Sequence, residues 1–397
     1  MFDVAIIGAG AAGMMCAAVA GQRGLSVVLI DHASRLAEKI RISGGGRCNF
    51  TNLGATAAQF LSENPHFCRS ALAGHTPQDF LGLIREHGIA WHEKHRGQLF
   101  CDHSSEDIIE MLRRECDRGR VAWRMPCAVQ AITRDGQGWA LATDAGALRA
   151  ARLVVASGGM AIPQLGATNF GLKVARQFGL KVVEPRPALV PLTFDAKQWQ
   201  PFAELSGVAL EVSLGTGQGK ARGEFLEDLL FTHRGLSGPA ILQISSYWKP
   251  GTIIDIDLAP GRDLAGELRQ AKSGARQQMH TVLAGLWPKR LADAWLAQSD
   301  DPGLAQARLA DVPDRKLLDL ASRIHHWPLA PTGTAGYKKA EVMRGGVDTR
   351  ALDQRSMQAR EVPGLYFIGE TVDVTGWLGG YNFQWAWASA VACGRAL

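Results

Sequence analysis

The stretch Val4-Ala5-Ile6-Ile7-Gly8-Ala9-Gly10-Ala11-Ala12-Gly13 decides the fold of this 397-residue chain. Its first four residues form a continuous apolar run, which is typical of a parallel strand buried on both faces. Glycines with the spacing Gly-x-Gly-x-x-Gly follow, and small residues then continue to Ala20. This order predicts a strand, a tight turn and a helix, which together begin a dinucleotide-binding Rossmann unit.

Each glycine of this motif has a separate predicted role. Gly8 permits the tight turn, Gly10 leaves room for a pyrophosphate, and Gly13 lets the helix approach the strand. The free N–H groups at the helix N-terminus favour the phosphate charge. A second apolar run, Val27-Val28-Leu29-Ile30, ends in Asp31, and such motifs place the acid that binds the ribose about 20 residues beyond the glycines. We therefore predict a nucleotide site rather than a turn without a ligand.

The segment from Lys39 to Asn52 favours FAD over NAD. It contains Ser43-Gly44-Gly45-Gly46-Arg47-Cys48-Asn49, in which consecutive glycines let the backbone lie flat against a ligand and polar side chains supply hydrogen-bond donors. Flavoproteins of the glutathione-reductase type use this region to contact the flavin. Disulfide reductases carry two cysteines there, whereas residues 49–54 contain none. We therefore predict that Cys48 lacks a partner thiol and fills space beside the flavin, with a catalytic thiol as the alternative.

The middle of the chain predicts an inserted domain. Leu153-Val154-Val155-Ala156-Ser157 indicates a buried strand, and the following Gly158-Gly159 would keep side chains away from the nucleotide. Three prolines between Pro185 and Pro191 indicate a domain boundary. We predict an FAD-binding domain formed by residues 1–190 and 346–397, and an insert with a β-barrel (191–260 and 327–345) and a helical unit (261–326). Gly215–Lys220 resembles a phosphate loop but lacks its first glycine and its Ser/Thr, so a hairpin turn is predicted.

The C-terminal segment predicts a return to the nucleotide site. Pro363-Gly364-Leu365-Tyr366-Phe367-Ile368-Gly369-Glu370 indicates a turn, a buried strand and an acid at its end. Gly379-Gly380-Tyr381-Asn382 then begins a helix of small residues. The N-terminus of this helix is predicted to point at the pyrimidine edge of the flavin, where its dipole would favour negative charge by about 0.3–2 kcal/mol.

These motifs, together with Phe231-Thr-His-Arg-Gly-Leu-Ser-Gly-Pro239, resemble the YhiN/BaiN-type family of NAD(P)/FAD-dependent oxidoreductases over essentially the whole chain. The resemblance implies an α/β fold: a Rossmann-like FAD-binding domain of the glutathione-reductase type, with an inserted β-barrel and helical domain. It leaves two interpretations of His233. This residue either contacts substrate over the flavin or belongs to a hydrogen-bonded turn between a strand and a helix, which we favour.

The sequence predicts FAD as the cofactor, no metal site and no identifiable catalytic residue. The predicted FAD-binding residues come from the N-terminal motif, the glycine-rich loop, the middle strands and the C-terminal return. They are Gly8, Gly10, Ala11, Ala12, Gly13, Asp31, Lys39, Ser43, Gly44, Gly45, Gly46, Arg47, Cys48, Asn49, Val129, Gly158, Gly159, Gly369, Glu370, Gly380, Tyr381 and Asn382.

Bulk composition narrows the functional classes. The seven cysteines include no C-x-x-C pair, which argues against a disulfide framework or a zinc site and favours the cytoplasm. A formal net charge of +5 without long basic runs favours a small-molecule substrate over a nucleic acid. Val4–Gly21 is uncharged, but its glycines fit the nucleotide motif, so no membrane segment is predicted.

Three functions remain open from the sequence. The first is an oxidoreductase that passes hydride from NAD(P)H through FAD to a small organic acceptor or to oxygen. Because no second Gly-x-Gly-x-x-Gly motif is present, NAD(P)H would be a transiently docked donor. The second is a flavin-dependent enzyme that modifies a nucleic acid, since tRNA-modifying flavoproteins share the fold; a clustered basic face on the insert would support it. The third is a non-catalytic FAD-binding redox protein.

Overall fold

The computed structural model describes residues 1–219 and 222–397. The chain divides into two compact units. Unit 1 comprises Met1–Pro187 and Glu341–Leu397, and unit 2 comprises Ala188–Ala340. Unit 1 is therefore assembled from both ends of the chain.

The N-terminal part of unit 1 alternates strands and helices. Its strands are β1 (Phe2–Ile7), β2 (Val27–Ile30), β3 (Asn49–Asn52), β4 (Phe60–Leu61), β5 (Trp91–Glu93), β6 (Gln98–Cys101), β7 (Ala122–Arg124), β8 (Val129–Asp135), β9 (Gly138–Thr143), β10 (Gly146–Val155) and β11 (Val182–Ala188). Its helices are α1 (Ala11–Gln22), α2 (Glu38–Ile42), α3 (Arg69–Gly74), α4 (Pro77–Glu86), α5 (Glu106–Arg118) and α6 (Phe170–Gln177).

Unit 2 carries most of its strands before its run of helices. The strands are β12 (Leu192–Thr193), β13 (Ala209–Thr216), β14 (Gly223–Thr232), β15 (Gly235–Ser237), β16 (Ile254–Asp257), β17 (Trp327–Leu329) and β18 (Gly333–Thr334). The helices are α7 (Ala196–Ala203), α8 (Pro239–Ser245), α9 (Leu264–Ala271), α10 (Met279–Ala284), α11 (Lys289–Ala297) and α12 (Asp314–His325).

The C-terminal return completes unit 1 with β19 (Val342–Val347), β20 (Leu365–Phe367), β21 (Thr375–Gly376) and α13 (Tyr381–Ala396). A seven-stranded sheet has the order β7-β2-β1-β10-β9-β8, and β20 also pairs with β10. The strands β7, β2, β1, β10 and β20 run parallel. Because the carboxyl ends of parallel strands meet at one edge of a sheet, this edge collects Gly8, Asp31, Gly158 and Gly369.

Close packing of small residues holds α1 in place. A Cβ atom on Gly13 would overlap the carbonyl oxygen of Gly8, and one on Gly394 in α13 would lie 2.9 Å from the Val19 side chain. Only glycine therefore allows α1 to approach both the first turn and α13. None of the described helices is both long and apolar enough to cross a membrane.

The predicted barrel strands of the insert form a seven-stranded antiparallel sheet in the order β17-β16-β13-β14-β15-β12-β18. Residues 261–326, which the apolar spacing predicts as one helical unit, contain four α-helices and one short 3₁₀ helix. The breaks have a local cause, because Pro288 and Pro313 stand at the N-caps of α11 and α12. The predicted hairpin turn joins β13 and β14, in which Thr216 is paired with Gly223. Lys220, the last residue of the predicted turn, and Ala221 lie outside the described residues.

Candidate functional site

The N-terminus of α1 opens onto free space. Gly10 is the N-cap residue and has extended backbone angles, φ −88° and ψ −165°, and no side chain caps the helix. A Cβ atom on Gly10 would meet nothing within 4 Å. Uncapped N–H groups beside an open space are what a pyrophosphate needs, so this part of the chain fits a dinucleotide such as FAD.

The Asp31 carboxylate is hydrogen-bonded to the backbone of the glycine motif. Its Oδ2 accepts a hydrogen bond from the Ala9 N–H at 2.7 Å, and its Oδ1 accepts one from the Ala33 N–H at 2.8 Å. The Cys127 N–H donates to the Asp31 carbonyl oxygen at 2.7 Å, so the segment just before Val129 lies beside Asp31. An ionised carboxylate accepts about four hydrogen bonds, so Asp31 retains capacity for a ribose hydroxyl.

Lys39 and Glu370, which are far apart in the sequence, meet at this edge. The Lys39 ammonium lies 2.8 Å from the Glu370 carboxylate, and both side chains are partly buried. The other oxygen of Glu370 accepts the Met343 N–H at 2.8 Å. A Cβ atom on Gly159 would lie 2.7 Å from that oxygen, so a larger residue would displace the carboxylate. Lys39, Gly159 and Glu370, which were predicted from three separate motifs, therefore lie next to one another.

The glycine-rich loop adopts a conformation that other residues rarely take. Gly44, Gly45 and Gly46 have φ angles of +57°, +67° and +85°. Nothing lies within 4 Å of a Cβ position on Gly45 or Gly46. The Ser43 hydroxyl donates to the Ile40 carbonyl oxygen at 2.7 Å, so it fixes the loop. The loop thus keeps one open backbone surface, and Arg47 beside it is exposed.

Cys48 is a free cysteine, and so is Cys101 on the neighbouring strand. Pairing of β3 with β6 sets Asn49 opposite Phe100, and the Cys101 N–H donates to the Arg47 carbonyl oxygen at 2.9 Å, so the two cysteines lie on adjacent segments. The sequence argument covered only the residues that follow Cys48, and strand pairing brings in a cysteine from much later in the chain. Both thiols are fully buried. Burial raises the pKa of the Cys48 thiol to about 12, so it stays protonated at neutral pH and is a poor nucleophile.

Asn49 stabilises the start of α13. In the amide orientation that satisfies its hydrogen bonds, its oxygen accepts the Gly380 N–H at 3.3 Å and its nitrogen donates to the Thr51 carbonyl oxygen at 3.2 Å. Asn52, one of the polar residues predicted to supply donors along this segment, donates to the Gly379 carbonyl oxygen at 2.9 Å. The two asparagines of β3 therefore position the N-terminus of the last helix.

Tyr381 and Asn382 support the preceding loop. The Asn382 carboxamide accepts the Gly376 N–H at 2.8 Å and donates to the carbonyl oxygens of Gly376 and Trp377. The Tyr381 ring packs edge-on against Phe60, with centroids 6.1 Å apart. Their side chains thus hold the loop in place.

His233 lies in an exposed turn within unit 2. The Thr232 hydroxyl donates to the Gly235 carbonyl oxygen at 2.9 Å, and the Trp199 indole N–H donates to the Thr232 carbonyl oxygen at 2.9 Å. The hydrogen-bonded turn is therefore confirmed. It connects the strands β14 and β15, however, and not a strand and a helix.

Comparison with known proteins identifies the family. The family model described as "HI0933-like protein Rossmann domain" matches residues 2–396. The chain belongs to the HI0933-like family. This match confirms the predicted family and the predicted α/β Rossmann-like fold. It also confirms that the protein is an FAD-dependent oxidoreductase. The chain binds FAD as its cofactor.

Curated members of the family resemble the chain over its full length. It is 49% identical to a ribosomal RNA dihydrouridine synthase of Escherichia coli, over 100% of this chain and 98% of that protein. It is 46% identical to a protein of the same name from Haemophilus influenzae, over 99% and 97%. It is 28% identical to a 3-dehydro-bile acid delta(4,6)-reductase of Clostridium scindens, over 100% and 99%.

Proposed function

We propose that this protein reduces the C5=C6 double bond of a uridine in ribosomal RNA, with FAD as cofactor and NAD(P)H as electron donor. The observation that carries the proposal is the 49% identity, over the whole chain, to a ribosomal RNA dihydrouridine synthase. The sequence alone ranked a nucleic-acid substrate below a small molecule, because its charges are dispersed. The relatives' names reverse that order.

The chemistry of the relatives supports a common reaction. The uracil C5=C6 bond is conjugated to a carbonyl group, and so is a double bond in a 3-oxo steroid with Δ4,6 unsaturation. Reduction of the uracil bond, or of the Δ4 bond of the steroid, adds a hydride to the carbon β to the carbonyl and a proton to the α carbon. At the Δ6 bond the hydride adds to the δ carbon and the proton to the γ carbon, and in each case negative charge develops on the carbonyl oxygen. Bound FAD, once reduced by NAD(P)H, would supply the hydride.

The chain's own residues bind and orient the reacting groups. The open N-terminus of α1 at Gly10 would hold the pyrophosphate, and Asp31 would accept a ribose hydroxyl. The loop at Gly44-Gly45-Gly46 would lie against the flavin ring with its open backbone surface. The N-terminus of α13, held by Asn49, would face the flavin and favour negative charge there.

A second candidate is the reduction of a small conjugated ketone. The full-length relationship to the bile acid reductase favours it, although the identity is only 28%. For either substrate, NAD(P)H would dock transiently and leave before the acceptor enters, because the sequence has no second dinucleotide motif. We therefore expect ping-pong kinetics.

The test uses holoprotein, NADPH or NADH, and unmodified ribosomal RNA made by transcription in vitro. The RNA is digested to nucleosides and dihydrouridine is measured by mass spectrometry, while a parallel reaction contains a 3-oxo-Δ4 steroid. Dihydrouridine formation supports the proposal. Consumption of the steroid with no change in the RNA would favour the second candidate and refute the first.

A further inference from the structure

We propose that the tip of the hairpin between β5 and β6 binds backbone phosphates of the RNA substrate beside the flavin-binding loop. We call Lys94-His95-Arg96-Gly97 the basic hairpin tip. The inference rests on the proposed function, because it locates where the RNA would be held. It adds a phosphate-binding surface on unit 1 itself.

The basic hairpin tip presents positive charge to solvent. Lys94, His95 and Arg96 are consecutive and exposed. The nearest acid in sequence, Glu93, accepts the Gly97 N–H of the same turn at 2.9 Å. The Lys94 ammonium forms no ion pair with any residue in 1–219 or 222–397. A phosphate would therefore find a cation that is not already neutralised.

Aromatic packing connects the tip to the predicted flavin contact. The Lys94 ammonium lies 5.7 Å from the centroid of the Phe100 ring. The edge of the same ring would lie 2.9 Å from a Cβ atom on Gly44, in the glycine-rich loop. One aromatic side chain thus separates the cation from the loop. A phosphate held at Lys94 would leave a neighbouring base within reach of the flavin site.

Hydrogen bonds fix the position of the tip. The buried Asn52 amide donates to the Arg96 carbonyl oxygen at 3.1 Å and to the Gly379 carbonyl oxygen at 2.9 Å, so one side chain joins the tip to the segment before α13. The Leu53 N–H donates to the Gly97 carbonyl oxygen at 2.9 Å. Arg96 has a φ of +51°, which a residue with a side chain adopts only when its surroundings impose it. The backbone next to Lys94 is therefore held in a defined position.

The insert offers a weaker alternative for phosphate binding. Unit 2 has an open cavity of about 790 Å³. Its described cationic and titratable side chains are mostly paired with acids: Arg222 with Glu224, His325 with Asp257, and His326 with Asp255. Acidic and basic residues are also nearly equal in number across 188–340. The cavity is therefore not a favourable phosphate site.

The inference can be tested by charge reversal and direct RNA binding. The variant Lys94→Glu is compared with Lys289→Glu, which reverses one exposed charge in α11. Fluorescence anisotropy with a labelled, uridine-containing ribosomal RNA hairpin is recorded at several salt concentrations. We expect the hairpin variant to bind roughly tenfold more weakly, with a salt slope smaller by about one, and the control to bind as wild type.

FAD content and thermal unfolding show whether each variant is folded. If Lys94→Glu does not fold, Lys94→Ala replaces it, because the side chain is exposed. Equal RNA affinity of the hairpin variant and wild type would overturn the inference, and so would a wild type that does not bind RNA. A raised KM for NAD(P)H with unchanged RNA affinity would assign the tip to the donor instead. If wild type binds RNA but forms no dihydrouridine, the proposed function fails, and the comparison of RNA affinities still decides the inference.

Discussion

Replacing Gly10 with valine should abolish FAD binding and leave the protein folded. The backbone at Gly10 is extended, with φ −88° and ψ −165°, which valine adopts readily. Nothing lies within 4 Å of its Cβ position, so the new side chain meets no protein atom there. It would instead occupy the space in front of α1 where the pyrophosphate is expected.

The expected cost to folding is small. Exchange of glycine for an apolar residue at an N-cap destabilises a helix by about 1 kcal/mol. In a unit of this size that corresponds to a fall in Tm of roughly 2–4 °C.

The expected cost to binding is much larger. Each hydrogen bond to a charged phosphate contributes about 1.5–3 kcal/mol. Loss of two such bonds weakens binding by about 3–6 kcal/mol, or roughly 10²- to 10⁴-fold. Isothermal titration calorimetry with apoprotein and FAD measures this change directly.

Gly13→Ala is the matched control, because it alters the same motif for a different reason. Its Cβ atom would overlap the Gly8 carbonyl oxygen, a backbone atom that cannot move aside. We expect destabilisation of about 3 kcal/mol or more, visible in thermal unfolding without FAD. Wild-type FAD affinity in Gly10→Val would refute the assignment of the pyrophosphate to α1.

Three further variants test other parts of the site. Asp31→Asn should weaken FAD binding by about 1.5–3 kcal/mol and also lower Tm, because an amide cannot accept both the Ala9 and Ala33 N–H groups; retained affinity in calorimetry would contradict the ribose assignment. Cys48→Ala should keep flavin reduction within about tenfold of wild type. A thiol reagent at pH 8 should not modify Cys48 in the native protein, because burial raises the pKa of this thiol to about 12 and almost no reactive thiolate is present at pH 8. Glu370→Gln should leave Lys39 without its ion-pair partner at 2.8 Å and weaken FAD binding. The control is Glu38→Gln, which removes the acid next to Lys39 in α2; equal FAD affinities of these two variants would argue against a role for the Lys39–Glu370 pair.

The sequence was sufficient for the nucleotide-binding fold because its signals are local. Val4–Gly13 specifies strand, turn and helix within ten residues, and the acids Asp31 and Glu370 each follow a buried strand. Parallel pairing then brings the ends of these strands to one edge, as a Rossmann unit requires. The FAD contacts of the individual residues remain predictions.

The features that the sequence did not predict depend on contacts between segments that are distant in the chain. The proximity of Cys101 to Cys48 follows from antiparallel pairing of β3 with β6, which no local pattern encodes. Asn49 has the donor groups expected of a flavin ligand, and the fold pairs its amide nitrogen with the Thr51 carbonyl oxygen and its amide oxygen with the Gly380 N–H, which the sequence did not predict. Residue type shows which hydrogen bonds a side chain can form, and only the fold determines which partners it meets.

The most direct test of the proposed function is a single turnover without oxygen. Holoprotein is first reduced with a stoichiometric amount of dithionite, so that the flavin absorption band disappears, and is then mixed with unmodified ribosomal RNA in a stopped-flow instrument. We predict that the band returns at a rate that increases with RNA concentration, and that one uridine gains the mass of two hydrogen atoms. A band that stays bleached in the presence of RNA but returns with a 3-oxo-Δ4 steroid or with oxygen would contradict the assignment of RNA as the substrate.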